Sequence, residues 1–177
     1  KGALLGNTLF KRATGFLCAG SANKRLFRHW GVPERKLVSF AYSWGYEFFL
    51  GVSKELSSQK PRLRAAWGIP EGSNVVLYCG RLSHEKNLFT LLEAYRHVKV
   101  SNKSLVIVGD GELNKPLQEK VAEYQLETVH FVGFQNRNKI NQFYAMSDVL
   151  VLPSIRETWG IVVNEAMCFG LPIIVSQ

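Results

Sequence analysis

The sequence predicts an α/β protein whose larger part is a doubly wound parallel sheet, and three observations carry that prediction. From Asn74 onward, short apolar runs alternate with helix-length segments at regular spacing, the rhythm of βαβ units with right-handed crossovers. The runs are continuously apolar (VVLYC, LVIV, VLVL, IIV) rather than alternating, as strands covered on both faces require. Glycine-bearing turns (GRLSHEKN, GDGE, GFQ) follow the first three strands.

Before Asn74 the pattern is less regular. Residues 4–13 read as a helix or its remnant, and Phe16–Ala19 as a short strand. Ser21 is expected to cap a helix running to Trp30, ended by Gly31-Val32-Pro33. Leu37–Phe40 forms a second short strand. Residues 41–52 (AYSWGYEFFLGV) read as aromatic-rich and irregular, and Ser53–Lys60 as a polar linker. Pro61–Trp67 is a short helix with proline at its start, closed by Gly68. The expected division is therefore a remnant of a second α/β domain over 1–52 and the regular domain over 53–177.

In the regular part the expected strands are Val75–Cys79, Leu105–Val108, Thr128–Val132, Val149–Leu152 and Ile173–Val175. Helices are expected over Asn87–Lys99, Asn114–Gln125, Lys139–Met146 and Gly160–Gly170. In the last, Ile161, Val162, Ala166 and Phe169 fall at helical spacing and can pack on the sheet.

Composition narrows the function classes. The 177 residues are 46% hydrophobic, enough for one sizeable core. No apolar run of about eighteen residues is present, which argues against a membrane span. Neither end looks natural, without a start methionine and stopping just after a strand, so the chain reads as a fragment. Three cysteines without CxxC spacing, each in an apolar context, read as buried thiols of a reducing, cytoplasmic compartment. The net charge of +8 is concentrated in residues 1–73, with 12 Lys/Arg against 4 Asp/Glu, whereas residues 74–177 carry 10 of each. Such a basic part suits peripheral contact with a membrane surface or an anionic substrate. Scattered basic residues and no nucleic-acid module argue against nucleic acid.

The chemistry-bearing residues cluster after two strands. Gly80 permits a sharp strand exit. Arg81 then offers a guanidinium fork and Lys86 a point charge, a pair able to neutralise a diphosphate. After Val149–Leu152 come one loop carboxylate, Glu157, and one helix carboxylate, Glu165. They bracket a helix N-terminus whose free N–H groups favour an anion. An anion with hydroxyls on both sides suits that arrangement, and a phosphate flanked by two sugars is such a ligand. With the strand order 3-2-1-4-5, the first and fourth strands are neighbours at the topological switch point, and both groups open into one crevice. Gly109-Asp110-Gly111 lacks the third glycine of a dinucleotide fingerprint and reads as a turn on the crevice rim, with Asp110 a minor contact. There is no P-loop, no nucleophile elbow, no DxD pair and no His/Cys ligand cluster. No metal or cofactor site is expected. Trp44, Tyr46, Phe48 and Phe49 could stack on a sugar, and read more readily as interdomain packing.

GRLSHEKN, VGDGE, FVGF, SDVLVLPS and ETWGIVVNE, in that order, resemble the donor-binding domain of retaining glycosyltransferases of family 4, whose two Rossmann-like domains form the GT-B type fold. Glu157 and Glu165, separated by seven residues, match the family's paired-glutamate motif. Residues 15–50 resemble the end of its N-terminal, acceptor-side domain. The resemblance implies that Arg81 and Lys86 bind the donor diphosphate and that Glu165 accepts hydrogen bonds from ribose hydroxyls. It further implies that Glu157 contacts the transferred sugar, that backbone at Trp159, Gly160, Ile161 and Val162 meets phosphates and sugar, and that the Phe134 region lies near the base. The implied reaction moves a sugar from a nucleoside diphosphate to a saccharide or lipid-linked acceptor, with retention and without metal. Trp159 departs from the commoner phenylalanine. A truncated, non-catalytic nucleotide-sugar-binding piece is the alternative, and the fragment alone is expected to be inactive.

Overall fold

The computed structural model describes residues 10, 12–40 and 45–176. The helix expected over 4–13 falls mostly outside these residues, as does Trp44. The chain divides into two compact units, 1–44 and 45–177, a division that falls before the expected 52/53 boundary.

In the first unit, β1 (Phe16–Cys18) and β2 (Leu37–Ser39) pair in parallel through α1 (Ser21–His29). Cys18, Val32 and Leu37 form its small core, with Phe10, Phe16 and Phe27 packed against them. Ser21 is the first residue of α1 and not its cap. Gly20 takes the cap position, and no side chain bonds there.

The second unit opens with α2 (Tyr46–Leu56), where the sequence suggested irregular chain and a linker. A glycine at each end of the aromatic cluster, Gly45 and Gly51, hides the period. Phe49, Val52 and Leu56 nonetheless follow helical spacing, and Phe49 is buried. Gly45 supplies the left-handed residue before the first turn (φ 58°). The Arg137 guanidinium lies 4.6 Å from the Phe48 ring centroid and 5.4 Å from that of Phe49, close enough for cation–π attraction. A 3-10 turn over Ser57–Gln59 joins α2 to α3 (Lys60–Ala66), with its proline in the first turn.

Five parallel strands follow: β3 (Asn74–Cys79), β4 (Lys103–Val108), β5 (Val129–Gly133), β6 (Val149–Leu152) and β7 (Ile173–Val175). Their order is β5-β4-β3-β6-β7, which is 3-2-1-4-5 counted within the unit. Helices α4 (Leu88–His97), α5 (Asn114–Glu123), α6 (Arg137–Met146) and α7 (Ile161–Cys168) make the crossovers. Both faces are covered. Val75, Leu77, Val106 and Leu150 pack with Phe143, Tyr144, Met146 and Ala166 from α6 and α7. Tyr78, Leu105 and Ile107 pack on the other face with Leu88, Leu92 and Leu117 from α4 and α5. Alternate residues of β3 and β4 thus feed opposite cores, as the period of a strand dictates. All three cysteines are free; Cys18 and Cys79 are buried as expected, whereas Cys168, ending α7, is only half-buried. Among the described residues, no helix is long and apolar enough to cross a membrane.

Candidate functional site

The crevice lies at the carboxyl ends of β3, β4 and β6, where three loops are stitched together by backbone. Gly80 N–H donates to Val108 O at 3.0 Å, Leu82 N–H to Asp110 O at 2.9 Å, and Leu113 N–H to Leu82 O at 3.0 Å. So close an approach excludes side chains. A Cβ on Gly109 (φ 138°) would strike the Gly80 carbonyl, and one on Gly111 the backbone of Leu82. These glycines therefore fix the spacing of two loops as well as turning the chain. The buried Tyr78 phenol donates to Arg81 O at 2.8 Å. Burial raises its pKa above the ordinary tyrosine range, so it stays a donor. Across the crevice, Ile155 N–H donates to Glu85 O at 2.8 Å and ties the loop after β6 to the loop after β3.

Two cavities open between these loops. One, of about 530 Å³, is lined by Gly80, Arg81, Val108, Gly109, Asp110, Phe134, Gln135 and Ile140. The other, of about 290 Å³, is lined by Gly80, Arg81, Glu85, Lys86, Glu157, Gly160, Ile161 and Val162. They share Cys79, Gly80 and Arg81, so the two cavities adjoin at the switch point. Gly160, at φ 71°, turns the chain into α7. Val163 N–H donates to Gly160 O at 2.9 Å, whereas the N–H groups of Ile161 and Val162 precede the first intrahelical acceptor, and both residues line the cavity.

The two carboxylates sit in different environments. Glu157 Oε2 accepts from Lys86 Nζ at 2.6 Å and Ser154 Oγ at 3.3 Å, and Oε1 accepts from Thr158 N–H at 3.1 Å. Burial is the largest single effect on Glu157 and raises its pKa, but Lys86 and the other donors together hold it below the usual carboxylate range. Glu165 lies one turn into α7, 8% exposed, and its Oε2 accepts from Tyr144 Oη at 2.6 Å. Burial raises its pKa, and Tyr144 and the Arg137 charge only partly offset it. The two carboxylates are thus shifted in opposite directions, Glu157 down and Glu165 up. Burial pushes the Cys79 thiol up to about 12, which leaves it inert at the cleft floor.

Of the residues singled out in the sequence, the structure brings Gly80, Arg81, Lys86, Phe134, Glu157, Gly160, Ile161 and Val162 to one cleft. Glu165 and Trp159 are not among the residues lining the two cavities. Gln135 and Ile140 line the first cavity and were not foreseen. Tyr144 was missed as well, because its partner is 21 positions away and nothing local marks a phenol on the buried face of a largely polar helix.

The family model for glycosyl transferases group 1 matches residues 59–177. The chain belongs to that family. An uncharacterized glycosyltransferase of Methanocaldococcus jannaschii is 34% identical over 136 residues, 75% of this group 1 chain and 34% of the relative. The lipopolysaccharide 1,2-N-acetylglucosaminetransferase of Salmonella typhimurium is 30% identical over 72% of this chain and 37% of its own length. The alpha-monoglucosyldiacylglycerol synthase of Streptococcus pneumoniae is 31% identical over 90% of this chain and 36% of its own. This group 1 chain thus spans about a third of the curated relatives it matches. Its fold is shared with Anabaena HepE in complex with UDP, at a TM-score of 0.81 and 22% identity over 98% of this chain and 48% of that one. The HepE complex with UDP-glucose gives a TM-score of 0.77 at 24% identity, over 98% and 48%. The Rossmann-like sheet expected for a GT-B type donor domain is the one observed.

Proposed function

We propose that the protein transfers a sugar from a nucleoside-diphosphate donor to a saccharide or lipid-linked acceptor, with retention of configuration and without a metal. The observation that carries this reading is the cleft itself. Arg81, Lys86, Glu157 and the N-terminus of α7 share one cavity, joined through Arg81 to a second cavity edged by Phe134. On this reading the base lies beside Phe134, and the diphosphate spans Arg81, Lys86 and the first N–H groups of α7. The sugar lies toward Glu157, and Glu165 receives the ribose hydroxyls. As the sugar–phosphate bond breaks, charge grows on the departing phosphate oxygen. Fixed cations and N–H groups aimed at that oxygen stabilise it most where they need no reorganisation. The named relatives act in lipopolysaccharide and glycolipid assembly, which supports a glycan or lipid-linked acceptor. The basic excess in residues 1–73 supports cytoplasmic placement with peripheral contact at an anionic membrane face.

The test compares nucleoside diphosphates with bare nucleosides in a full-length protein carrying this sequence. Arg81→Ala and Lys86→Ala should each weaken UDP or GDP by about 1.5–3 kcal/mol and leave uridine or guanosine nearly unchanged. Equal losses for nucleoside and diphosphate would overturn the phosphate assignment. Binding without turnover on any acceptor would favour the alternative of a donor-binding piece. The anomeric configuration of the product, read by NMR, decides retention.

A further inference from the structure

Behind the wall of the second cavity, a phenol and a carboxylate share one short hydrogen bond. Tyr144, fully buried on α6, donates its hydroxyl to Glu165 Oε2 at 2.6 Å. Its ring is wedged in place, 5.5 Å from the Phe169 ring centroid and within the core that holds Cys79 and Ala166. Among the described residues, no protein group donates to the second oxygen, Oε1, and that atom is not one of the buried polar atoms lacking a partner. In a carboxylate only 8% exposed, one oxygen is thus fixed by the phenol and the other has no protein donor among the described residues.

We propose that Tyr144 is the positioning residue for the ribose-binding carboxylate: it pins Glu165 Oε2 and leaves Oε1 oriented for the hydroxyls of the donor's ribose. The inference rests on the reading of Glu165 given above. A glutamate side chain has several rotors, and a ligand that must freeze them loses affinity in doing so. Here a residue of the folded core has frozen them already. The charged and titratable groups facing Glu165 are Tyr144 and Arg137 from α6, Cys79 from β3 and Cys168 from its own helix. Burial raises the Tyr144 pKa far above the ordinary value, so the phenol remains a donor throughout the physiological range. Burial also raises Glu165, and the Tyr144 hydroxyl is the larger of two influences opposing that rise, ahead of Arg137. Without the hydroxyl, Glu165 takes up its proton at higher pH and ceases to be an ionised acceptor there.

The experiment is Tyr144→Phe in a full-length protein carrying this sequence, titrated with UDP, GDP and their 2′,3′-dideoxy counterparts between pH 5 and 8. The expected result is a loss of about tenfold for the ribose nucleotide, no loss for the dideoxy nucleotide, and an acid limb of affinity displaced to higher pH. Equal weakening of both nucleotides, or an unmoved acid limb, would make Tyr144 only a tie between two helices and overturn the proposal. Glu165→Gln separates the two readings. If it leaves the ribose nucleotide unaffected, the ribose role of Glu165 has failed; if it discriminates and Tyr144→Phe does not, the positioning role alone has failed. Should Tyr144→Phe not fold, 3-fluorotyrosine at position 144 keeps the ring and strengthens the donor. It should move the acid limb to lower pH, and an unmoved limb again overturns the proposal.

Discussion

The ammonium of Lys86 lies 2.6 Å from the Glu157 carboxylate, 71 positions away in the chain. The cation assigned to phosphate is therefore neutralised, before any donor arrives, by the carboxylate assigned to sugar. Lys86 and Glu157 are 16% and 30% accessible, so the pair is partly shielded and worth roughly 0.5–1 kcal/mol. On the proposed reading, a diphosphate competes with Glu157 for the Lys86 ammonium. Glu157→Gln should tighten nucleoside-diphosphate binding about two- to fivefold by removing the charged competitor, while turnover falls if, as proposed, the sugar uses the ionised carboxylate, which the amide replaces with a neutral acceptor. Calorimetry on variant and parent decides it, and unchanged or weaker binding would show that the pair does not compete with the donor.

The glycines of the second unit divide into those that fix loop spacing and those with open space around them. Gly109→Ala and Gly111→Ala place a Cβ against backbone, of Gly80 and Leu82 respectively, which cannot swing aside as a side chain does. Each should cost about 2–3 kcal/mol and lower Tm by roughly 5–10 °C. At Gly68 (φ 66°) a Cβ meets nothing within 4 Å, so Gly68→Ala should cost only about 1 kcal/mol. Gly51, inside α2 with open space around it, should give the opposite sign, a gain of about 0.5–1 kcal/mol as alanine. Thermal melts of the four variants check the order.

The strand order and the Arg81/Lys86 and Glu157 convergence were legible because they depend on features the sequence displays directly. Five apolar runs at βαβ spacing fix a right-handed parallel sheet, and the residues just after strands β3 and β6 then meet at the switch point. Helix α2 was not legible, since Gly45, Gly51 and clustered aromatics obscure its period, and only its burial of Phe49 reveals the apolar face. The Lys86–Glu157 and Tyr144–Glu165 bonds were not legible either. Each joins side chains from different βα units, and their geometry depends on packing that no local pattern encodes. Ser21 misled because a serine at the start of a helix-length segment is a strong cap signal, yet the helix begins at that residue.

At the opposite end of the sheet, Asp148 gathers the start of β6, β3 and α3. It accepts from Lys60 Nζ at 2.6 Å, Arg64 at 2.7 Å and Val75 N–H at 2.7 Å. Arg64 also donates to Met146 O and Ser73 O, at 2.8 and 2.9 Å. Burial, the largest single effect, raises the Asp148 pKa, but these donors together lower it. A depressed folded pKa means stability that is fully present above the unfolded value, about 3.9, and is lost as pH falls through the folded one. Asp148→Asn should therefore be destabilising at pH 7 and flatten the acid side of the stability profile. Arg64→Ala, which strips one carboxylate and two carbonyls of their donor, should cost about 3 kcal/mol. Urea unfolding at pH 7 and pH 3 checks both, and a pH dependence equal in parent and Asp148→Asn would remove Asp148 from the acid response.

Nucleoside-diphosphate binding should be indifferent to divalent metal if, as proposed, the countercharge comes from protein. Arg81 and Lys86 line the same cavity as the first turn of α7, where N–H groups and the helix dipole favour an anion. A bridging metal instead needs carboxylates free to hold it against the phosphates. The two aspartates of the chain are Asp110 and Asp148. Asp110 Oδ1 already accepts from Gly111 N–H and Asn114 Nδ2, at 2.8 and 2.9 Å, and Asp148 is held by Lys60 and Arg64 at the far end of the sheet. Glu157, a carboxylate on the same cavity wall, is bound to Lys86. Titration of UDP or GDP in excess chelator, beside the same titration with magnesium, should give affinities within a few fold. A loss beyond about tenfold in chelator, 1.4 kcal/mol, would mean that a metal carries charge here assigned to Arg81 and Lys86. Glu85 and Glu157, both on the cavity wall, would then be the carboxylates to substitute first.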